Sequence, residues 1–257
     1  MAVTASIEAG IGWITLDRPP ANSYNRAFIR ELGDAIDQLA EDDDAKVVVV
    51  RSSSEKFFSA GADVQNFVES DAITNIEMVR FAHTVFDRFA AIPKLTIAAI
   101  NGHALGGGYE IALACDTRIA AEGRYRIGLP EVTLGLLPGT GGTQRLPRLI
   151  GRGRALLMMT TGHSVMPEEA ERLGMVDRLV PADELLGHVT EVATTIARGA
   201  PLAIAATKQA VHTGMDLPLA EGLQVELKAL EPLFTTRDGH EGLTAFLEKR
   251  SPDYEGR

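Results

Sequence analysis

Two glutamates and two glycine-rich segments carry the residue types from which a reactive site can be built. Glu110 closes the run Asn101-Gly-His-Ala-Leu-Gly-Gly-Gly-Tyr-Glu110, and Glu131 follows 21 residues later in Ile127-Gly-Leu-Pro-Glu131. Two carboxylates facing one small site can hold a water molecule and move its protons. The second glycine segment is Phe57-Phe-Ser-Ala-Gly-Ala-Asp63. Glycine lets backbone approach a ligand closely, and N–H groups at a helix start have no partner within the helix. Such donors, helped by the helix dipole, stabilise a developing oxyanion. Taken singly, each feature has a plainer explanation. A glycine run also serves a tight turn, and glutamates so far apart in sequence are by default solvent-facing.

Other chemistries fit less well. A dinucleotide fingerprint beginning at Gly106 and Gly108 would need a third glycine where Ile111 stands, and the same test on Gly139-Thr-Gly-Gly-Thr fails at Gln144. A phosphate-binding P-loop fails because Gly108, not lysine, follows Gly107. The six histidines lack the short spacings of a zinc site. His103, beside the glycines, reads as a turn or core histidine. The single cysteine, Cys115, lies in the apolar run Ile-Ala-Leu-Ala-Cys-Asp and reads as a small buried hydrophobe. Arg145, Arg148, Arg152 and Arg154 read as a solvated helix face, with a phosphate contact as the alternative.

The elements that must position these residues alternate between strand and helix. Ala5–Ala9 and Ile11–Asp17 read as short strands separated by Gly10, and Arg18-Pro19-Pro20 ends that pattern. Phe28, Leu32, Ala35, Ile36 and Leu39 share one face of a helix over Arg26–Leu39. Lys46-Val-Val-Val-Val-Arg51 predicts a strand buried on both faces, as in a parallel sheet. A second amphipathic helix covers Ile73–Ala91 and is closed by Pro93. Leu95–Ile100, Thr117–Ala121 and Val176–Val180 are further strands, and a helix opens near Gly107 and runs to Ala114. This alternation predicts an α/β core with crossover connections over residues 1–200. From Pro201 onward only helices are expected, over Leu202–His212, Pro218–Leu230 and Thr236–Lys249. Residues 201–257 therefore form a helical region that packs on its own core or on a neighbouring subunit.

The bulk numbers narrow the function classes. With 257 residues and 45% hydrophobic content the chain can bury a substantial core. A formal charge of −10 disfavours nucleic acid and acidic membranes as partners. One cysteine permits no internal disulfide, which fits a reducing compartment. No run approaches the roughly 20 apolar residues that span a bilayer, and the opening residues resemble neither a secretory signal nor a transit peptide. Cytoplasm is the expected location.

Four stretches, in order, resemble the crotonase, or enoyl-CoA hydratase, family. They are Phe58-Ser-Ala-Gly-Ala-Asp63, the run from Asn101 to Asp116, the run from Gly128 to Leu146, and Glu241-Gly-Leu-Thr-Ala-Phe-Leu-Glu-Lys-Arg250. The resemblance covers essentially the whole chain. It implies an α/β spiral of strand–strand–helix turns, a helical C-terminal trimerisation region, and assembly as a homotrimer or dimer of trimers. It also implies a coenzyme A thioester substrate, with no redox cofactor and no metal.

Carried over by position, the resemblance makes the N–H groups of Ala60 and Gly107 the oxyanion hole for the thioester carbonyl. Glu110 and Glu131 match the catalytic carboxylates. Gly61, Ala62, Asp63, Gly106 and Pro130 join the substrate contacts, with Lys56 near the nucleotide. Phe246 and Lys249 would add contacts from the C-terminal helix of a neighbour. The implied reaction adds water to a 2-enoyl-CoA, hydroxyl to C3 and proton to C2. A Δ3,Δ2-enoyl-CoA isomerase, other thioester chemistry on this scaffold, and a silent CoA-ester-binding subunit are the alternatives; the presence of both glutamates favours hydration. Pro20-Ala-Asn-Ser-Tyr24 is about one residue shorter than the family's usual N-terminal substrate loop, and Tyr109 is bulkier than usual. Both bear on acyl preference.

Overall fold

The computed structural model describes residues 1–257. The chain begins with an antiparallel hairpin, β1 (Val3–Glu8) and β2 (Ile11–Leu16), followed by α1 (Arg26–Glu41) and β3 (Val47–Ser52). Next come β4 (Phe57–Ser59), α2 (Val64–Glu69), α3 (Ala72–Ala91), β5 (Leu95–Ile100), β6 (His103–Leu105) and α4 (Gly107–Ala114). The middle third holds β7 (Thr117–Ala121), β8 (Ile127–Gly128), a 3₁₀ turn at Glu131–Leu134, α5 (Gly142–Ile150) and α6 (Arg152–Thr161). It is followed by β9 (Ser164–Val165), α7 (Pro167–Leu173), β10 (Arg178–Val180) and α8 (Leu185–Ala197). Helices α9 (Pro201–Gly214), α10 (Leu219–Leu230) and α11 (Arg237–Glu248) complete the chain, with a 3₁₀ turn at Glu231–Thr235.

The main sheet has the order β1-β2-β3-β5-β7-β10 and is parallel from β2 onward. The α/β expectation holds, and the reason is visible in β3. Val48 and Val50 face the core shared with α1, α3 and α4, whereas Val47 and Val49 face the one capped by α8. A strand covered on both sides has no polar face to alternate with. Helix α1 buries Phe28, Ile29, Leu32, Ile36 and Leu39, and the Asn25 side chain accepts from the Phe28 N–H at 3.0 Å to cap it.

A second sheet, ordered β4-β6-β8-β9, was not anticipated. Its strands are two or three residues long, too short to show a period. It is nevertheless what brings the glycine segments together, because β4 pairs with β6 through Phe57↔His103 and Ser59↔Ala104. The strand expected over Val176–Val180 shortens to β10, since Met175 and Val176 turn inward to the core while Asp177 N–H reaches the Arg118 carbonyl.

After α8 the chain holds only helices and 3₁₀ turns. Helix α9 is anchored by Lys208, whose ammonium lies 2.8 Å from the Asp116 carboxylate and donates to the Lys94 carbonyl at 3.0 Å. Helix α10 buries no residue, and Leu219, Leu223, Leu227, Leu230, Phe234, Leu243, Phe246 and Leu247 are exposed.

Candidate active site

The β4–β6 pairing sets the two glycine loops face to face. Gly61 has φ +87°, and a methyl group there would lie 2.7 Å from the Leu105 carbonyl and 3.0 Å from the Gly107 nitrogen. Only glycine fits a left-handed backbone this close to another chain segment. Gly107 is the first residue of α4, so its N–H has no acceptor within the helix.

One expected donor is corrected. The Ala60 N–H donates to the Ala21 carbonyl at 2.9 Å and is not available to a substrate. Two residues on, Ala62 bridges to Tyr24: Tyr24 N–H donates to the Gly61 carbonyl at 2.8 Å, and Asp63 N–H donates to the Tyr24 carbonyl at 2.9 Å. That pattern uses the groups flanking Ala62 and leaves the Ala62 N–H without an acceptor. The unpartnered pair across the loops is therefore Ala62 and Gly107.

The two glutamates converge on this place in different states. Glu110, in the first turn of α4, is 2% exposed. Its Oε1 accepts from Thr140 N–H at 2.8 Å and Gly142 N–H at 2.7 Å, while the Thr140 hydroxyl donates to Oε2. Those N–H groups belong to the N-terminus of α5, an anion cradle made by the Gly139-Thr-Gly-Gly-Thr run that failed as a dinucleotide fingerprint. Glu131 has no such support. Both its carboxylate oxygens are buried and accept no hydrogen bond. Burial and then the charge of Glu110 push its pKa up from 4.5 to about 7. Its position against the first loop is tight, since a methyl at Gly106 would lie 3.0 Å from Glu131 Oε1.

Among the other expected contacts, Gly106 and Pro130 sit at this junction, Pro130 accepting from Thr133 N–H at 3.0 Å to set the turn that carries Glu131. Asp63 faces away from it into an ion pair with Arg18 at 2.9 Å. Lys56 ends the loop before β4, exposed, with its ammonium over the Phe57 ring. Phe246 is 82% exposed on α11, and Lys249, exposed in left-handed conformation, caps that helix; within one chain neither is brought to the loops.

Thr140, Tyr24 and Arg145 also shape the site. In the sequence Thr140 is marked only by its place in a glycine run. Tyr24 is 4% exposed, and its pKa is raised by burial and then by Glu110, with Glu131 adding a smaller push. Arg145 is not part of a solvated face: it pairs with Asp87 at 2.7 Å and donates to the Thr140 carbonyl at 3.2 Å, bracing the Glu110 cradle. The arginine run itself is split between α5 and α6 at Gly151. Cys115 is buried, its thiol pushed up to about 12 by desolvation, in keeping with a packing role. His103 accepts from the Arg126 N–H at 3.1 Å and stacks near Phe57, as a turn histidine.

A fold of this kind with paired carboxylates beside two free backbone donors matches a known group of proteins. The Enoyl-CoA hydratase/isomerase family model matches residues 6–257, and the chain belongs to that family. It is 40% identical over 245 residues to the 2,3-dehydroadipyl-CoA hydratase of Escherichia coli K12, covering 95% of this chain and 94% of that one. It is 38% identical over 244 residues to the short-chain-enoyl-CoA hydratase of Clostridium acetobutylicum, covering 95% and 93%. The crystal structure of an enoyl-CoA hydratase from Bacillus anthracis superposes with a TM-score of 0.97 at 40% identity, over 100% of both chains. No helix of the chain is long and apolar enough to cross a membrane.

Proposed function

We propose that this protein hydrates short 2-enoyl-CoA thioesters to 3-hydroxyacyl-CoA. The observation that carries the reading is the asymmetry of the glutamates: Glu110 is fixed by three donors, and Glu131 is buried, unpartnered and poised to hold a proton near neutral pH. The thioester oxygen sits between the N–H groups of Ala62 and Gly107, which strengthen their hold as negative charge develops there. That withdrawal makes C3 electrophilic. Glu110 takes a proton from water as the water oxygen bonds to C3, and Glu131 gives its proton to C2 as the double bond becomes single. The proton gained by Glu110 returns to Glu131 by way of the next water. The steps are one C–O bond formation and two proton transfers within one oriented complex, with no change of overall oxidation level, so they need neither metal nor redox cofactor, and coenzyme A arrives as part of the substrate. The two named relatives are both hydratases, in agreement.

The C-terminal helices complete the proposed site in a homotrimer or a dimer of trimers. Their exposed leucines and phenylalanines form an apolar face of the kind that marks an interaction site. Phe246 and Lys249 of a neighbouring copy then join Lys56 around the CoA nucleotide.

Loss of the conjugated thioester absorbance of crotonyl-CoA tests the reaction. The parent turns it over, while Glu110→Gln and Glu131→Gln each lower kcat by about 10²–10⁴-fold, the usual worth of a positioned acid or base. The double variant falls far short of the product of the two losses, because the pair acts as a unit. Isomerisation of a 3-enoyl-CoA with no hydration, or full hydration by either single variant, sinks the proposal.

A further inference from the structure

The fold spends one large aromatic side chain at the junction of the oxyanion loops, and it comes from the N-terminal segment. Tyr24 is held there by its own backbone, which bridges Gly61 and Asp63 on either side of Ala62. Its ring packs on Phe28 at 6.4 Å and edge-on to Phe86 at 6.2 Å between centroids. Its hydroxyl lies directly against Gly107, where an added methyl group would overlap the phenol oxygen. Tyr24 also lines a half-open cavity of about 210 Å³ against α2 and α3, where Arg26, Asn66 and Thr74 stand beside the apolar Ala27, Phe67 and Met78.

We propose that Tyr24 is the specificity-determining wall of the acyl site, standing between the glutamate pair and this cavity so that only short acyl chains fit. The inference rests on the hydratase reading above. A thioester whose oxygen lies at the Ala62 and Gly107 N–H groups sends its acyl chain past Glu110 and Glu131. The phenol tip, touching Gly107, meets that chain within a few bonds of the carbonyl. Burial and the two glutamates hold the phenol in its neutral form, so it stands as an uncharged obstacle. Removing the ring would join the cavity to the acyl site and give a longer chain room for several methylene groups. One methylene too many against an apolar wall costs about 10–200-fold, and the Tyr24 ring is that wall.

The test compares the parent with Tyr24→Phe, Tyr24→Leu and Tyr24→Ala. Two readouts are taken: kcat/KM on crotonyl-, 2-hexenoyl- and 2-decenoyl-CoA, and calorimetric affinity for butyryl- and decanoyl-CoA. The parent favours the short esters. Tyr24→Leu and Tyr24→Ala shift both ratios toward the ten-carbon ester by about tenfold or more, while Tyr24→Phe keeps the parent's chain-length ratio whatever its rate. Thermal melts establish that each variant is folded, and Tyr24→Leu, which keeps apolar packing between Phe28 and Phe86, decides the matter if the alanine variant melts early. An unchanged ratio in folded Tyr24→Leu, or a parent that already prefers the ten-carbon ester, overturns the proposal. A parent that hydrates none of the enoyl esters overturns the hydratase reading instead, and the affinity ratio for the saturated esters then still decides whether Tyr24 is a wall.

Discussion

Both carboxylate oxygens of Glu131 are buried without a hydrogen-bond donor, next to a second carboxylate that has three. An ion in that position is costly, and the cost appears as a proton held up to about 7. The stability consequence follows from linkage. Unfolded Glu131 releases its proton near 4.5 and folded Glu131 near 7, so between those values the native state binds more protons than the unfolded chain. Native stability therefore falls as pH rises through that window, and the loss is complete above it. Glu131→Gln carries no such charge. Its melting temperature should match the parent's at about pH 4.5 and exceed it at about pH 8, as followed by thermal melts across that range. A constant difference at every pH would show that Glu131 does not ionise against its surroundings.

At the scale of elements, the site depends on where short strands and helix starts end rather than on which side chains they carry. Strands β4 and β6 deliver two loops, and the Tyr24 bridge consumes the amides around Ala62 while leaving its own N–H without an acceptor. On the proposed hydratase reading, the role of Ala62 is a backbone role. Ala62→Gly retains the donor and should be mild; Ala62→Pro deletes it and should lower kcat by about 10²–10³-fold, the usual loss for one oxyanion donor. Because charge on the carbonyl develops mainly in the transition state, kcat should fall more than affinity for a saturated acyl-CoA. A folded Ala62→Pro variant with parental kcat would return the donor role to another amide. The same logic explains why Ala60 was the wrong choice from sequence. Both alanines flank Gly61 in the motif, and only the hydrogen bond from Ala60 to Ala21 distinguishes them.

At the scale of the whole molecule, two arrangements of apolar surface stand in contrast. The main sheet is covered on both faces, whereas α10 has no buried residue and α11 buries only Asp238 and Ala245. Helices with this many exposed leucines are stable when something covers them. A chain ending at Ala200 should lose these apolar helices together with the Lys208–Asp116 anchor, and give aggregated or inactive protein by light scattering and crotonyl-CoA assay. A truncated protein that is monomeric, soluble and fully active would show that the helices serve neither assembly nor the site.

What the sequence determined by itself is carried by long periodic segments and by motif order. The valines of β3, the apolar stripe of α1, the strand Leu95–Ile100 and the helical run after Pro201 were legible because burial imposes a period on residues in contact with one core. The order of the four motifs was enough to expect the family. Tertiary structure alone decided what the short pieces do. It paired strands of two or three residues into a second sheet and turned the Gly139–Thr143 run into a cradle for Glu110. It set Tyr24 against Gly107, and it gave the free amide to Ala62 instead of Ala60. Hydrogen-bond allocation and the desolvation of a carboxylate are properties of neighbours brought together across the fold, and no spacing along one chain records them.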